Sequence, residues 1–496
     1  MRVEQAIAGV IALDRRVEAG LNVRSVTFNS QRVEPGDIFV AVPGMKVDAS
    51  RFVSDALERG AVLVVGTQVE ALRGAANWVL VQDARAALAV IAGNVFEHPS
   101  RRLTLVAFTG TNGKTSLTYL GEAVAVAAGR RPGIMGTVEC RFAGRSIEMK
   151  HTTPEAPVFQ AFLREMADAG ADCAFVEASS HGIALKRVDG TEFAIAVFTN
   201  LSQDHLDFHR TMEEYAAAKF ELFTRLLRTS PRRIAAVVNV DDAYGRQLAG
   251  LIDYPLLTYG LDEAGAAVRA VGLQMSHRGL TFEAVGPWGS FPVTSPLVGR
   301  HNASNILSIM AVAHLMGIAP AAAAAGVASL TRIAGRLEAV DNPFGVGIWV
   351  DYCHTPDAIE KVLLAVRPVV SGRLITVLGA GGDRDRVKRP KMGAVAERMS
   401  DIAVVTSDNP RSENELSVIE DILSGMSREY RVRSCVVIPD RALAIEAAVG
   451  MARRGDGIVI GGKGAETYIE RFGVRTHFDD REEARKAVKA AQERSA

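Results

Sequence analysis

Short apolar runs rich in β-branched residues alternate along the whole chain with Ala- and Leu-rich stretches of helical length. "GDIFVAV" (36–42), "GAVLVVG" (60–66) and "WVLVQD" (78–83) read as strands, and "ARAALAVIAGNVF" (84–96) reads as a helix. The pattern resumes beyond the proline of "EHPSRR" (97–102), with a strand over 103–108 and then "CAFVEASS" (173–180), "FAIAVFTN" (193–200) and "IAAVVNVDD" (234–242). A third series follows "TRIAGRLEAV" (331–340): "GIWVDY" (347–352), "RLITVLGAGG" (373–382), "DIAVVTSDN" (401–409) and "DGIVIGGKG" (456–464). At 496 residues the chain exceeds a single core. It reads as an α/β protein of three domains, bounded at 1–99, 100–334 and 335–496. Several of these strands run out into polar or glycine-rich loops. In open parallel sheets ligands bind outside the carboxyl ends of strands, so those loops hold the candidate chemistry.

The clearest loop lies in "LTLVAFTGTNGKTSLT" (103–118). A strict phosphate-loop pattern has a glycine where Phe108 stands, yet the physical parts are present. Gly110 and Gly113 let the backbone turn, so that successive N–H groups of the Gly110–Thr111–Asn112–Gly113 loop face phosphate oxygens. Lys114 brings a point charge, Thr115 a hydroxyl suited to Mg²⁺, and Ser116 opens "SLTYLGEAVAVAAG", a helix whose N-terminal dipole favours an anion. The competing reading, a glycine turn with an incidental lysine, does not explain why strand, loop, Lys-Thr and helix come in this order.

Two further strand ends carry polar groups. Glu177 closes an apolar run and precedes Ser179, Ser180 and His181; Asn200, Asp204, His205, Asp207 and His209 follow the next run. Mg²⁺ takes oxygen ligands and retains waters, so one carboxylate with phosphate oxygens makes a sensible set. Each histidine, taken singly, reads equally well as a cap or a hydrogen-bond partner. Lys219 lies in the Ala-rich "YAAAKFELF", which composition alone reads as a solvated helix face.

Charge and cysteine usage remove several classes. Lys plus Arg equals Asp plus Glu, at 57 each, so no net field draws the protein to nucleic acid or an anionic membrane. The four cysteines, Cys140, Cys173, Cys353 and Cys435, include no C-x-x-C pair, which argues against zinc clusters and disulfide frameworks. No apolar stretch reaches the roughly 18 residues of a membrane span. "MRVEQAIAGVIALDRR" is a poor signal peptide, and the expectation is a soluble cytoplasmic protein. "GAGGDRD" (379–385) fails as a dinucleotide fingerprint because Arg384 stands where the last glycine belongs.

The motifs "GTNGKTS", "ExSSHG", "FTNLSQDHLDFH", "TMEEYAAAKFELF" and "GRHNASNI", in this order, resemble the Mur ligase family. "DYCHTPDAI", "GAGGDRDRVKRP", "SDNPRSE", "IPDRALAI" and "GGKGAETY" resemble the branch that adds the third amino acid to UDP-N-acetylmuramoyl-L-Ala-D-Glu. The resemblance covers essentially the whole chain. It implies a small N-terminal α/β uridine-nucleotide domain, a central phosphate-loop ATPase domain with a mainly parallel sheet, and a C-terminal Rossmann-like domain that binds the amino acid. It implies ATP and Mg²⁺ as cofactors, a monomer acting on the UDP-linked muramoyl dipeptide and meso-diaminopimelate, and no nucleic-acid or membrane partner. ATP would phosphorylate the D-Glu γ-carboxylate, and the incoming amine would displace phosphate to leave an amide.

Residue by residue, the resemblance assigns Lys114 and Thr115 to the ATP phosphates and Glu177 and His205 to Mg²⁺. Thr115 also serves the metal, and Lys219 corresponds to a lysine that is carbamylated in the family and joins the metal site. His301, Asn302 and Asn305 would lie near adenine, and Arg336 and Asp351 would contact ATP as the domains close. Thr152, Thr153, Ser179 and Arg187 would hold the muramoyl dipeptide, with Ser30 near uracil. "DNPR" resembles members that take meso-diaminopimelate: Arg411 offers a planar fork for a carboxylate, and Arg389, Asp408, Asn409, Gly462 and Glu466 would complete the pocket. Departures gather at the substrate ends. "NSQ" (29–31), "VDASRF" (47–52), Cys353, Ala465 and "SENEL" differ from the usual residues, which keeps open a ligase recruited to another carboxylate acceptor or amino acid.

Overall fold

The computed structural model describes residues 1–44, 49–149, 151–276 and 278–495, excluding the side chains of Asp207 and Ser495. Met45–Asp48 are outside it, so the start of the "VDASRF" departure lies outside the described residues. The chain forms two compact units. The first comprises Met1–Arg269, Val285–Gly289 and Asn305–Gly326; the second comprises Ala270–Ala284, Ser290–Ser304 and Val327–Ala496.

Two sheets belong to the first unit. The N-terminal sheet has the order Ala12–Arg16, Trp78–Val81, Leu63–Gly66, Ile38–Val40, Val26–Thr27. It is parallel except for the first strand, which pairs antiparallel with Trp78–Val81. In the central sheet, Thr104–Thr109 lies between Cys173–Glu177 and Ile195–Phe198, parallel to both. Ala235–Asn239 and Leu256–Gly260 extend one side. Pro132–Met135 extends the other, followed by the antiparallel Glu139–Phe142 and Arg145–Glu148. The inner strands are buried along their length, which is why their sequences run apolar without alternation. Register sets Glu177 opposite Phe108 and Phe198 opposite Thr109, so the ends of three strands lie level around the phosphate loop.

The sheet of the second unit places Gly457–Gly461 between Gly347–Asp351 and Leu374–Leu378, all parallel, with Ile402–Val405 and Cys435–Val437 beyond. Glu338–Ala339 closes the other edge antiparallel. A separate hairpin pairs Tyr468–Arg471 with Val474–His477. Among the described residues no helix is long and apolar enough to cross a membrane.

The C-terminal helix, Asp480–Ser495, packs one face on its neighbour and leaves the other exposed, the amphipathic surface helix that its composition suggests. Ala484, Ala487 and Val488 are buried with Ala444 and Ala448 of the helix Arg441–Met451. At its start Asp480 accepts hydrogen bonds of 2.7 Å from both Nε and Nη2 of Arg441, and both side chains are fully buried. Arg441 also donates to the carbonyls of Ser407 (3.2 Å) and Gly461 (2.9 Å), tying two strand-end loops to this pair. Charge patterning hides such a contact because an acidic first helical turn is normally a solvated cap. Asp480→Ala leaves a buried guanidinium without its counter-charge and is expected to cost about 3–5 kcal/mol. Joint replacement by Arg441→Met and Asp480→Leu should cost clearly less, and denaturant unfolding of the three proteins checks the difference.

Candidate active site

The strand Thr104–Thr109 delivers the chain into a loop that has no room for side chains at two positions. Gly110 has φ +148°, and a Cβ there would meet Thr199 Oγ1 at 1.9 Å; Gly113 has φ +94°, and its Cβ would meet Asn305 Oδ1 at 2.7 Å. Neighbouring strand ends hold the loop's shape. Thr111 N donates to Asn200 O (2.8 Å), Asn112 N to Asn200 Oδ1 (3.1 Å), and Thr199 Oγ1 to Asn112 O (2.7 Å). The helix then begins at Lys114 and runs to Ala127, so Ser116 falls inside its first turn. Lys114 Nζ folds back to the carbonyls of Gly110 (2.8 Å) and Thr111 (2.9 Å).

Glu177 ends its strand with a carboxylate that is 1 % exposed. Three neutral donors hold it: Thr115 Oγ1 (2.9 Å), Thr137 N (2.8 Å) and Thr137 Oγ1 (3.0 Å). Among the described residues no lysine or arginine pairs with it. A buried carboxylate held this way, beside a hydroxyl at a phosphate loop, fits a hard divalent cation, since the carboxylate and the Thr115 hydroxyl offer oxygen ligands and one negative charge remains uncompensated.

Lys219 contradicts its compositional reading as a solvated helix face. It lies on Met212–Glu221 on the side that also buries Tyr215, Ala216 and Phe220, and it is 1 % exposed. Three alanines in a row gave the sequence no phase by which to find this face. Its Nζ donates to Gly110 O (2.8 Å), the same carbonyl that Lys114 uses, and stands 4.6 Å from the Tyr215 ring centroid. Burial, with Lys114 adding to it, pushes the Lys219 ammonium well below the ordinary lysine range. In its deprotonated form, which burial favours, the amine is a nucleophile able to take up CO₂.

His205, with φ +54°, caps the short helix Leu206–His209 and is half-exposed beside Asp204, Nε2 to Oδ2 being 3.4 Å. Its ring packs edge-on at 4.9 Å from that of His181, which in turn packs on Phe208 at 4.2 Å. The Asp207 side chain lies outside the described residues.

The residues expected for the acceptor converge on the same strand end. Thr153 Oγ1 donates to Glu177 O (2.9 Å) and accepts from Ser179 N (3.0 Å). Arg187 Nη1 donates to Thr153 O (3.0 Å), and its Nη2 pairs with Glu155 (2.7 Å). Thr152 Oγ1 is 3.0 Å from Thr137 Oγ1. Ser30 lies apart, on a 3₁₀ turn of the N-terminal sheet that Asn29 caps. A cavity of about 640 Å³ opens at the strand ends of that sheet, lined in part by Thr67, Gln82, Arg85 and the Asp83–Lys186 ion pair (2.6 Å). Thr137 escapes a reading by motif because it meets Glu177 only once the strands are side by side, whereas Asn200, a polar strand end in the sequence, braces the phosphate loop.

In the second unit, Asn302 Nδ2 donates to Val298 O (2.8 Å), beside His301. Asp351 accepts from Leu337 N (2.8 Å), and burial raises its carboxyl pKa even with Arg336 nearby. Arg336 lies over the Tyr352 ring at 5.2 Å. The loops after Leu374–Leu378, Ile402–Val405 and Gly457–Gly461 gather the rest. Asn409 Nδ2 donates to Glu466 Oε2 (2.8 Å), and Lys463 Nζ donates to Asn409 Oδ1 (3.0 Å) while standing 3.8 Å from Asp408. Gly462 leaves no room for a Cβ beside Asp408 Oδ2. The fully buried Lys463, absent from the residues singled out in the sequence, sits at the centre of this group. Arg411, at φ +51°, bridges to the hairpin: its N–H donates to Glu470 O (3.0 Å), and its carbonyl accepts from Phe472 N (2.7 Å). Arg389 is committed elsewhere, with Nη1 and Nη2 on Glu413 (2.9 and 2.7 Å), Nη1 also on Asp421 (2.9 Å) and Nη2 on Gly381 O (3.1 Å). Its guanidinium holds the Glu413 carboxyl down at about 2.

Family models match almost end to end: the Mur ligase catalytic domain at residues 22–96, the Mur ligase middle domain at 108–313 and the Mur ligase glutamate ligase domain at 335–464. The UDP-N-acetylmuramoyl-L-alanyl-D-glutamate–2,6-diaminopimelate ligase of Geobacter metallireducens is 40% identical over 505 residues, covering 99% of this chain and 98% of the relative. That of Bacillus licheniformis is 39% identical, covering 94% and 95%. A solved structure of a ligase of the same name superposes with a TM-score of 0.73 at 33% identity, covering 99% of this chain and 100% of the other. The Thermotoga maritima MurF ligase in complex with ADP shares the fold, with a TM-score of 0.63 at 19% identity over 97% of this chain and 100% of the other.

The buried Lys219 generates a test of its environment. Because the fold disfavours its proton, the destabilisation is present at neutral pH and is relieved as pH rises toward the ordinary lysine value near 10.4. In CO₂-free protein, Lys219→Met is therefore expected to raise Tm at pH 7, by a margin that shrinks toward pH 10. Calorimetry across that range checks both the sign and the trend.

Proposed function

The chain belongs to the Mur ligase family, and from that premise we propose that it is an ATP-dependent ligase joining meso-diaminopimelate to the D-Glu γ-carboxylate of UDP-N-acetylmuramoyl-L-Ala-D-Glu, a step in peptidoglycan precursor synthesis. The observation that carries this reading is the Glu177 carboxylate, buried without a cationic partner among the described residues and bonded to the hydroxyl of Thr115. In this reading the protein works as a cytoplasmic monomer.

The chemistry asks for two anions, the acceptor carboxylate and the γ-phosphate, to approach within bonding distance. Catalysis of that step is positioning and charge neutralisation. The backbone of Gly110–Ser116 and the Lys114 ammonium orient the β- and γ-phosphates of ATP. Thr115 and Glu177, joined by His205 and by Lys219 as a carbamate, would hold Mg²⁺, which supplies neutralising charge. Carbamylation turns Lys219 from an amine that is costly to protonate into an anion, which suits a lysine beside that position. Thr152, Thr153, Ser179 and Arg187 orient the dipeptide, and Ser30 lies toward its uridine end. The acceptor oxygen bonds to the γ-phosphorus as ADP leaves. The deprotonated amine then adds to the acyl carbon, and the tetrahedral intermediate collapses with loss of phosphate.

Specificity rests on Arg411 in this reading. Its fork takes the distal carboxylate of diaminopimelate, while Glu466, held by Asn409, faces the distal ammonium. L-Lysine lacks that carboxylate, and a site built to pair a polar group rejects the analogue without it by roughly 10⁴-fold. Phosphate release from ATP with UDP-N-acetylmuramoyl-L-Ala-D-Glu is expected with meso-diaminopimelate and not with L-lysine, and Arg411→Ala should erase the preference. No release with either amino acid, from a folded protein that binds ATP, would assign the ligase to another carboxylate acceptor.

A further inference from the structure

Arg389, expected in the amino-acid pocket, already has both terminal guanidinium nitrogens bonded inside the protein. It is 0 % exposed, on the second residue of the helix Lys388–Met399. Its partners come from two different strand-end segments. Gly381 O belongs to the loop after Leu374–Leu378; Glu413 and Asp421 belong to the segment after Ile402–Val405 and the helix Glu415–Leu423. The two segments are laced further around this point. Gly382 N donates to Asn409 O (2.8 Å), Asp383 N to Glu413 Oε1 (2.6 Å), and Ser412 N and Oγ to Asp383 (3.1 and 2.6 Å). Arg411 is held within the same lacing, its Nη1 donating to Gly382 O (2.7 Å).

We propose that Arg389 is a positioning residue for amino-acid selection: its buried fork on Glu413, with Asp421 and Gly381 O, locks the 381–383 and 410–413 segments in register and so fixes where Arg411 presents its guanidinium. Resting on the assignment of Arg411 to the carboxylate of the amino acid, this moves Arg389 from a ligand contact to the support behind one. An ammonium cannot replace the fork, because a single point donor cannot span both oxygens of Glu413 while also reaching Asp421 and the carbonyl. Outer partners that orient metal ligands change affinity or activity by about 10- to 100-fold when altered, and the same order is expected for this support.

The test is a double-mutant cycle in full-length protein, using Arg389→Lys, Arg411→Ala and the pair, with meso-diaminopimelate and L-lysine as alternative amino acids. Arg389→Lys is expected to raise KM for diaminopimelate at least about tenfold and to shrink the preference over lysine, with KM for ATP and for the UDP-linked acceptor unchanged within about twofold. In the Arg411→Ala background the same change should have no further effect on kcat/KM for diaminopimelate. Glu413→Gln, which weakens the fork from the other side, should reproduce the pattern. Equal losses from Arg389→Lys with and without Arg411 would overturn the positioning role. So would a parallel rise in all three KM values, or loss of fold in both single variants. An intact diaminopimelate preference in Arg411→Ala alone would instead overturn the assignment of Arg411 on which the proposal rests.

Discussion

A carboxylate removed from water must find either a counter-charge or enough donors to replace its hydration. Glu177 has donors alone: two hydroxyls and one backbone N–H, all neutral. Much of the first unit can be understood as making that arrangement hold. The strand Cys173–Glu177 is buried throughout, which fixes where the carboxylate emerges. Gly136 leaves no room for a Cβ beside Glu177 Oε1, so the loop carrying Thr137 can close over it. Thr153 then bonds the backbone carbonyl of the same residue, so the groups assigned to the acceptor are referenced to one point. The phosphate loop is joined to that point through Thr115.

The second unit uses charge differently. There the buried cations already have their anions: Arg441 with Asp480, and Arg389 with Glu413 and Asp421. These pairs reach across strand-end loops and tie segments distant in sequence. A buried pair adds little net stability compared with apolar packing, but breaking one partner is costly, so such pairs act as geometric references. One unit thus keeps a buried anion on neutral donors alone, and the other pairs its buried charges internally.

Much of this was legible in the sequence where function is written into local order. Strand, glycine turn, Lys-Thr and helix fall within 103–118, and the helix starts two residues earlier than "SLTYLGEAVAVAAG" suggests because Lys114 and Thr115 already bond as helix. The inner strand runs were legible to within a few residues, since burial on both faces makes them continuously apolar. By contrast, Val268–Ser276, Gly279–Gly286 and Gly289–Ser295, with exposed positions along them, were not read as strands. What stayed hidden depends on tertiary neighbours. Lys219 and Asp480 look solvated by composition and are buried by packing. Arg389 stands in a basic run that suits an anionic ligand, and only the fold reveals Glu413 and Asp421 in front of it. Thr137 belongs to no motif, yet it supplies two of the bonds to Glu177.

Arg411 has a further consequence through its backbone. At φ +51° it occupies the left-handed region, which an arginine enters at a cost of about 1 kcal/mol and which glycine or asparagine enters far more easily. The residue that carries selectivity in the proposed pocket is therefore one that folding alone would discard. The strain is held in place by the bonds to Glu470 O and Gly382 O and from Phe472 N, so the hairpin and the 381–383 loop together keep the side chain where its backbone alone would not.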